Sequence, residues 1–513
     1  MNHSRLFNTV RNVSWRFIVL FMTAVINLII PRYIILTYGS EVNGLTSSIA
    51  HVLMIVNLIQ AGLGSSVTYL MYKPIGEQDR VELASIIMSA KRLYRIISLA
   101  VLGLGTIASI IFAYVVDTDL QRDFILIASL LTCIDSAAST YFTAVGNVFL
   151  GAKQDGYLVS RISIIANMIG FGLRVLVLVL KPHFITLFLV NTVVCIINIV
   201  ALAACFKKQY VPFKPSEEET KKIHRVPIKG ISYAAANEAA HALITGSITV
   251  VISVWAGLKA SSIFGVYMIA TSALSTVSNA VYSAVVPSYG SVAAEGDIAK
   301  TNRIFEIYQF VLFTMNTFMY MCAAYLLIPF VHLYTEGVSD AEYTNIPLMI
   351  MVVCYGLASV LRIPYNNTVY IKGLFKETYM QPVICSVIAM ILMVLFTSIN
   401  FTYTLLGTIF FFLSNALYQH FKLPKLFAGF DNRRFWNHLA VMCCGVGMSI
   451  LAFFLFPVSP SNFFWWIVYA CITGVVSLAV MLLLVLLFDR KSLRHTIDYF
   501  MKRKQNKQIK GEK

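Results

Sequence analysis

Apolar runs of about 20 residues recur along the chain from residue 15 to residue 488, and that repetition constrains the fold more than any motif. A hydrocarbon core about 30 Å thick demands roughly 20 apolar residues per crossing helix, and only helices or closed barrels satisfy their backbone polar groups inside lipid. Hydropathy places spans at 15–37, 45–71, 92–116, 123–146, 158–180, 183–206, 231–255, 262–287, 304–331, 345–370, 377–398, 401–421, 437–457 and 462–488. Composition agrees, because 58% hydrophobic residues, 12% charged residues and a mean hydropathy of +0.75 describe a chain dissolved mainly in lipid. A secretory leader would supply one such run, and no small-residue cleavage site follows the first. The expectation is an all-α polytopic membrane protein with fourteen transmembrane helices. Spans 377–398 and 401–421 lie so close together that they must form a tight hairpin.

Charge tests the count. With the N-terminus inside, 34 of the 40 Lys and Arg residues fall on the inner side, while Arg32, Arg122, Lys181 and Lys259 fall outside and Arg174 and Arg362 lie within spans. This asymmetry follows the positive-inside rule and places both termini in the cytoplasm. The formal charge of +16 is then a topological signature that needs no nucleic-acid partner. Its concentrations, FKKQYVPFKPSEEETKKIHRVPIKG at 206–230 and the tail from Arg490, would lie against anionic phospholipids of the inner leaflet. Nine cysteines without CxxC or Cys/His spacing read as small apolar residues, so neither metal nor cofactor is expected. The sequons at Asn12 and Asn366 fall in the cytoplasm and within a span, where no glycosylation is expected.

An internal repeat organises the chain. The turn TYGSEVNGL after the first span is similar to WAGLKASSIFGVY after the seventh, with Gly39 and Gly257 218 residues apart. Glu77 and Glu295, and Asp79 and Asp297, share the same offset after the next span. An even number of spans per repeat gives two six-helix lobes of one orientation. The lobes would be 1–210 and 231–428, joined by a basic cytoplasmic linker at 211–230 and followed by two further helices at 429–488 and a basic tail at 489–513.

Few charges enter the spans, and each costs about 2.5–3.5 kcal/mol on insertion scales, so they are expected to face a cavity or a partner. Asp135 lies near the middle of the fourth span, Arg174 in the fifth, Glu238 in the seventh and Arg362 in the tenth, while Arg32 follows Pro31 at the end of the first. Two readings of Arg32 stay open. It either snorkels to head groups, or Pro31 turns it into a groove where its guanidinium fork can hold an anion. Glu238 and Arg362 could form a static ion pair, and Asp135 is either a proton or cation site or a hydrogen-bonded packing group near Thr132, Ser136 and Ser139. His51 and His241 read as helix-packing histidines. The strings SAASTYFTAVGN, ISYAAANEAAHALITGS and ATSALSTVSNAVYSA suit either close helix packing or a wetted passage, with Asn237, Ser247, Ser275 and Asn279 as its polar candidates.

Several short motifs together resemble the polysaccharide flippases of the O-antigen (Wzx) type, in the MATE-like multidrug/oligosaccharidyl-lipid/polysaccharide exporter (MOP) superfamily. They are Pro31-Arg32 followed by Gly39-Ser40-Glu41-Val42-Asn43-Gly44-Leu45, Gln60-Ala61-Gly62-Leu63-Gly64-Ser65-Ser66, Gly265-Val266-Tyr267 and Pro287-Ser288-Tyr289-Gly290. The resemblance covers nearly the whole chain. It implies a bacterial inner-membrane flippase that carries an undecaprenyl-diphosphate-linked oligosaccharide from the inner to the outer leaflet, with Arg32, Arg174 and Arg362 as the diphosphate-binding residues. Polysaccharide polymerase or export machinery would be its protein partner. Many relatives carry an acidic T-D-N-like stretch in the seventh span where this chain reads Thr245-Gly246-Ser247, which removes any coupling carboxylate there. An ion-coupled drug or metabolite antiporter of the same superfamily is the rival, although it predicts twelve spans and an acidic residue in the first. No P-loop or loop-borne catalytic diad is present, so an enzyme such as an integral polysaccharide polymerase is disfavoured.

Overall fold

Each apolar run becomes a helix, since a segment without water to solvate its backbone must bond to itself. The computed structural model describes residues 2–498 and 501, apart from 61, 229–232 and 427–433. The protein is 88% helical, with no strand among the described residues. Among the described residues fourteen helices, from Ser14–Tyr38 to Phe463–Phe488, are long and apolar enough to cross a membrane.

The chain forms two compact units, one through Gly265 and one from Val266. The first holds α1 (Asn2–Tyr38), α2 (Ser40–Val56), α3 (Leu63–Glu77), α4 (Arg80–Val115), α5 (Arg122–Ala152), α6 (Gly156–Leu180) and α7 (Ile185–Tyr210). A single turn, α8 (Glu217–Thr220), precedes α9 (Tyr233–Trp255) and the first turns of α10 (Gly257–Ala294). Within it α4 packs on α5, α5 and α6 on α7, α1 on α6, and α2 on α9. Leu45, Ile49, Ile125, Cys133 and Leu258 anchor one core cluster, and Val67, Met71, Leu83, Phe149 and Leu150 a second. Packing therefore groups residues 233–265 with the first unit, whereas the sequence repeat begins a new copy there.

The second unit holds the rest of α10, α11 (Ile298–Tyr334), α12 (Ile346–Lys372), the short α13 (Phe375–Thr378), α14 (Met380–Ile399), α15 (Leu405–Leu426), α16 (Phe435–Leu455) and α17 (Phe463–Phe488). Here α12 packs on α15, α11 on α12, α16 and α17, and α14 on α15. The expected hairpin turns at Asn400, whose side chain accepts from the Thr402 amide at 3.0 Å. Past α17, residues 490–498 continue helically, and Asp489 fastens that segment through His438 (2.8 Å) and the Ser492 hydroxyl (2.6 Å).

The repeat is visible in backbone geometry. Gly39 and Gly257 take φ +88° and +84°, a region open to glycine, and each lets one helix end as the next begins at once. Gln78 and Gly296, 218 residues apart, are both left-handed, at φ +57° and +81°. Asp79 and Asp297 then each cap a helix, accepting from the amides of Glu82 and Lys300 at 2.9 and 3.0 Å. As the span at 15–37 predicts, α1 runs through Pro31 and continues to Tyr38. One detail differs from the sequence reading. The second span, expected to be continuous over 45–71, instead passes from α2 into a 3-10 turn at Asn57–Gln60 and restarts as α3 after Gly62 at φ +75°.

Candidate functional site

The polar residues of the first unit meet at three levels. At the first, α7 carries Asn191 and Thr192 side by side and serves two neighbours. Arg174 Nη2 of α6 donates to Asn191 Oδ1 at 2.7 Å, and the Thr192 hydroxyl donates to Asp135 Oδ2 of α5 at 2.9 Å. The Cys195 thiol, one turn further on, donates to the Asp135 carbonyl at 3.4 Å. Arg174 and Asp135 thus share one three-helix layer through adjacent residues of α7. Among the described residues neither makes an ion pair. A carboxylate held by one hydroxyl in a lipid-spanning helix is a suitable place for a proton or a cation.

At the second level α5 turns its next residue the other way. Ser136 meets the broken second span, where Asn57 Nδ2 donates to the Ser136 hydroxyl at 2.9 Å and Gln60 Nε2 donates to Asn57 Oδ1 at 3.0 Å. The 3-10 turn replaces regular i to i−4 bonds inside an apolar span, and the side chains of Asn57 and Gln60 tie the broken stretch to α5 through Ser136. Hydropathy does not register the break, although Gly62 and Gly64 were visible signals.

The third level lies where the Gly39 and Gly257 turns bring α2 against the start of α10. Asn43 Nδ2 donates to the Ser262 hydroxyl at 2.8 Å, and the Ser48 and Ser261 hydroxyls lie 2.9 Å apart. Lys259 Nζ lies 3.6 Å from Glu41 Oε1 and 3.4 Å from Asp119 Oδ2, and the Thr118 hydroxyl donates to Glu41 at 2.7 Å. A Cβ on Gly44 would overlap the Leu258 carbonyl oxygen, so glycine permits this approach. Sequence reasoning quoted Glu41, Asn43, Gly44, Leu258, Lys259, Ser261 and Ser262 within motifs but assigned them no role. Glu41 and Lys259 also lie 218 residues apart, so equivalent positions of the two copies meet as opposite charges.

The other candidates are dispersed. Arg32 is half-buried on α1, Asn237 and Ser247 are buried on α9, and Glu238 of the same helix is exposed. The Ser247 hydroxyl donates to its own helix at the Leu243 carbonyl, 2.7 Å away. In the second unit Arg362 is buried on α12 with its guanidinium carbon 5.8 Å from the centroid of the Phe412 ring, while Ser275 and Asn279 are exposed on α10. The motif tyrosines are structural. Tyr267 donates to the Tyr343 carbonyl at 2.9 Å and accepts from the Asn345 amide at 2.8 Å, and buried Tyr289 bonds the Thr368 hydroxyl at 2.9 Å.

No known family model matches the sequence, and no curated protein does. Solved structures do. An inward-facing multidrug-resistance MATE family transporter of the MOP superfamily matches with a TM-score of 0.63 and 13% identity, over 80% of this chain and 98% of that one. The lipid II flippase MurJ in an inward closed conformation matches with a TM-score of 0.61 and 13% identity, over 94% of this chain and 100% of that one. An outward-facing MATE transporter gives 0.53 and 14% identity, over 82% and 96%. At such identities the likeness is one of fold: the chain has the polytopic architecture shared by the MOP superfamily transporters MATE and MurJ.

Proposed function

We propose that the protein is a flippase for undecaprenyl-diphosphate-linked oligosaccharides, moving a polysaccharide repeat unit from the inner to the outer leaflet of a bacterial cytoplasmic membrane. The observation that carries this reading is the extent of the match. A lipid flippase accounts for 94% of the chain, whereas the drug-transporter fold accounts for 80%. Both termini lie on the cytoplasmic side, where 34 basic residues gather. The helices rock between inward and outward access, the head group crosses through the polar interior, and the prenyl tail stays in lipid. Arg32, Arg174 and Arg362 bind the diphosphate, for which the guanidinium fork is suited, and Arg174 spends one of its donors on Asn191 and keeps others for the ligand. Asp135 takes up the coupling proton or cation. The gathering of Asp135 and Thr192 also favours a second reading, an ion-coupled antiporter of drugs or metabolites on the same fold.

Binding to the purified protein in lipid nanodiscs separates the two. A prenyl-diphosphate oligosaccharide should bind, Arg32→Ala should weaken it about tenfold or more, as loss of a charge-assisted contact does, and an organic cation should not compete. Undiminished binding in Arg32→Ala, Arg174→Ala and Arg362→Ala alike overturns the cationic site. Binding of the organic cation alone makes the protein an antiporter.

A further inference from the structure

The linker between the sequence repeats does not hang free. Beyond α8 it runs extended along α4, where the His224 amide donates to the Ser85 hydroxyl at 3.1 Å and the Val226 amide to the Ser89 hydroxyl at 3.0 Å. The registers agree because two extended residues advance about 6.6 Å and four helical residues about 6 Å. Alternation then lays Val226 and Ile228, half-buried beside Leu93, against the edge of the core and leaves Arg225 exposed at the surface.

A cleft of about 200 Å³ opens between linker and helix. Its cationic members are Arg92 of α4 and Arg225 of the linker, both exposed and neither in an ion pair among the described residues. Its apolar side is formed by Leu93, Val226, Ile228 and Ile96, the last 56% exposed. The Ser89 hydroxyl, also in the lining, accepts from Val226 and donates to no acceptor among the described residues. Two guanidinium groups and a free hydroxyl donor beside an apolar wall match a phosphodiester with an acyl chain attached. On the orientation proposed above, the cleft lies at the inner-leaflet head groups, where anionic lipid is concentrated.

We infer that this cleft binds the phosphate of an anionic inner-leaflet phospholipid, which bridges Arg92 and Arg225 and fastens the linker to α4. A free phosphate would leave the apolar wall unused, and a zwitterionic lipid would bring its own cation against two arginines. This site is separate from the transport path and from Arg32, Arg174 and Arg362, so it can fail while the flippase reading stands, and the reverse.

The test is native mass spectrometry of the full-length protein, released from nanodiscs containing phosphatidylglycerol and phosphatidylcholine. Preferential retention of phosphatidylglycerol is expected, falling roughly tenfold for Arg92→Ala or Arg225→Ala and further for the pair. Arg92→Lys with Arg225→Lys should keep part of it, as a point charge replaces a fork. Lys207→Ala with Lys208→Ala, outside the cleft, should keep all of it. Monodisperse elution of each variant certifies its fold. Undiminished retention in the double alanine variant overturns the site. Displacement by inorganic phosphate alone makes it an anion site, and preferential displacement by a prenyl diphosphate makes it a substrate entry point; either result overturns the phospholipid assignment.

Discussion

Gly44 shows how little room one residue can leave. Any Cβ there would meet the Leu258 carbonyl oxygen, a backbone atom that cannot rotate away. Gly44→Ala should therefore lower stability by about 1–3 kcal/mol, the usual cost of overpacking. Gly103 provides the comparison, because a Cβ there meets nothing within 4 Å, and Gly103→Ala should instead stabilise its helix by about 0.5–1 kcal/mol. Thermal unfolding of both variants in detergent checks the pair. Equal melting temperatures would mean that α2 and α10 do not approach this closely in the protein as purified. The same scale shows why Glu41 and Lys259 escaped sequence reasoning. Each is ordinary alone, and only the 218-residue offset together with the contact gives them meaning.

At the scale of the element, the second span is held at its break by Asn57, Ser136 and Gln60. Asn57→Leu removes the partner that Ser136 and Gln60 share and leaves their hydrogen-bonding groups in an apolar span. Hydrogen bonds between membrane helices average about 0.6 kcal/mol and reach about 1.7, and a double-mutant cycle of Asn57→Leu with Ser136→Ala should return a coupling in that range. A coupling of zero would mean that the break is set by Gly62 alone. Helix number and the hairpin at Asn400 were legible in the sequence because lipid enforces length and apolarity on every span. Side-chain direction was not. A helix surrounded by lipid and apolar helices loses the periodicity that marks a buried face, so nothing in the sequence showed that Asp135 faces Thr192 while Ser136 faces Asn57. The three arginines were legible as rare charges, but their neighbours Asn191 and Phe412 could only come from the fold.

For the whole molecule, duplication and compactness divide the chain differently, and the contact of α2 with α9 and the start of α10 is where they part. The first copy of the repeat supplies Glu41, the second supplies Lys259, and packing places both in one compact unit. Because the positions are equivalent, the charges should be exchangeable. Asp119 complicates the exchange, but its side chain is 88% exposed, so water screens most of its influence, and Asp119→Asn removes the rest. In that background Glu41→Lys and Lys259→Glu singly place like charges together, while the double exchange restores an opposite pair. Reactivity of a cysteine at Ser48, in a chain stripped of its native cysteines, reports whether α2 and α10 stay closed. Each single variant should raise labelling several-fold, since opening frees the Ser48–Ser261 contact, and the double exchange should return it to the starting level. If the exchange fails to restore protection, the pair is a surface contact of little worth, and closure rests on Asn43, Ser48, Ser261, Ser262 and the glycine contact at Leu258.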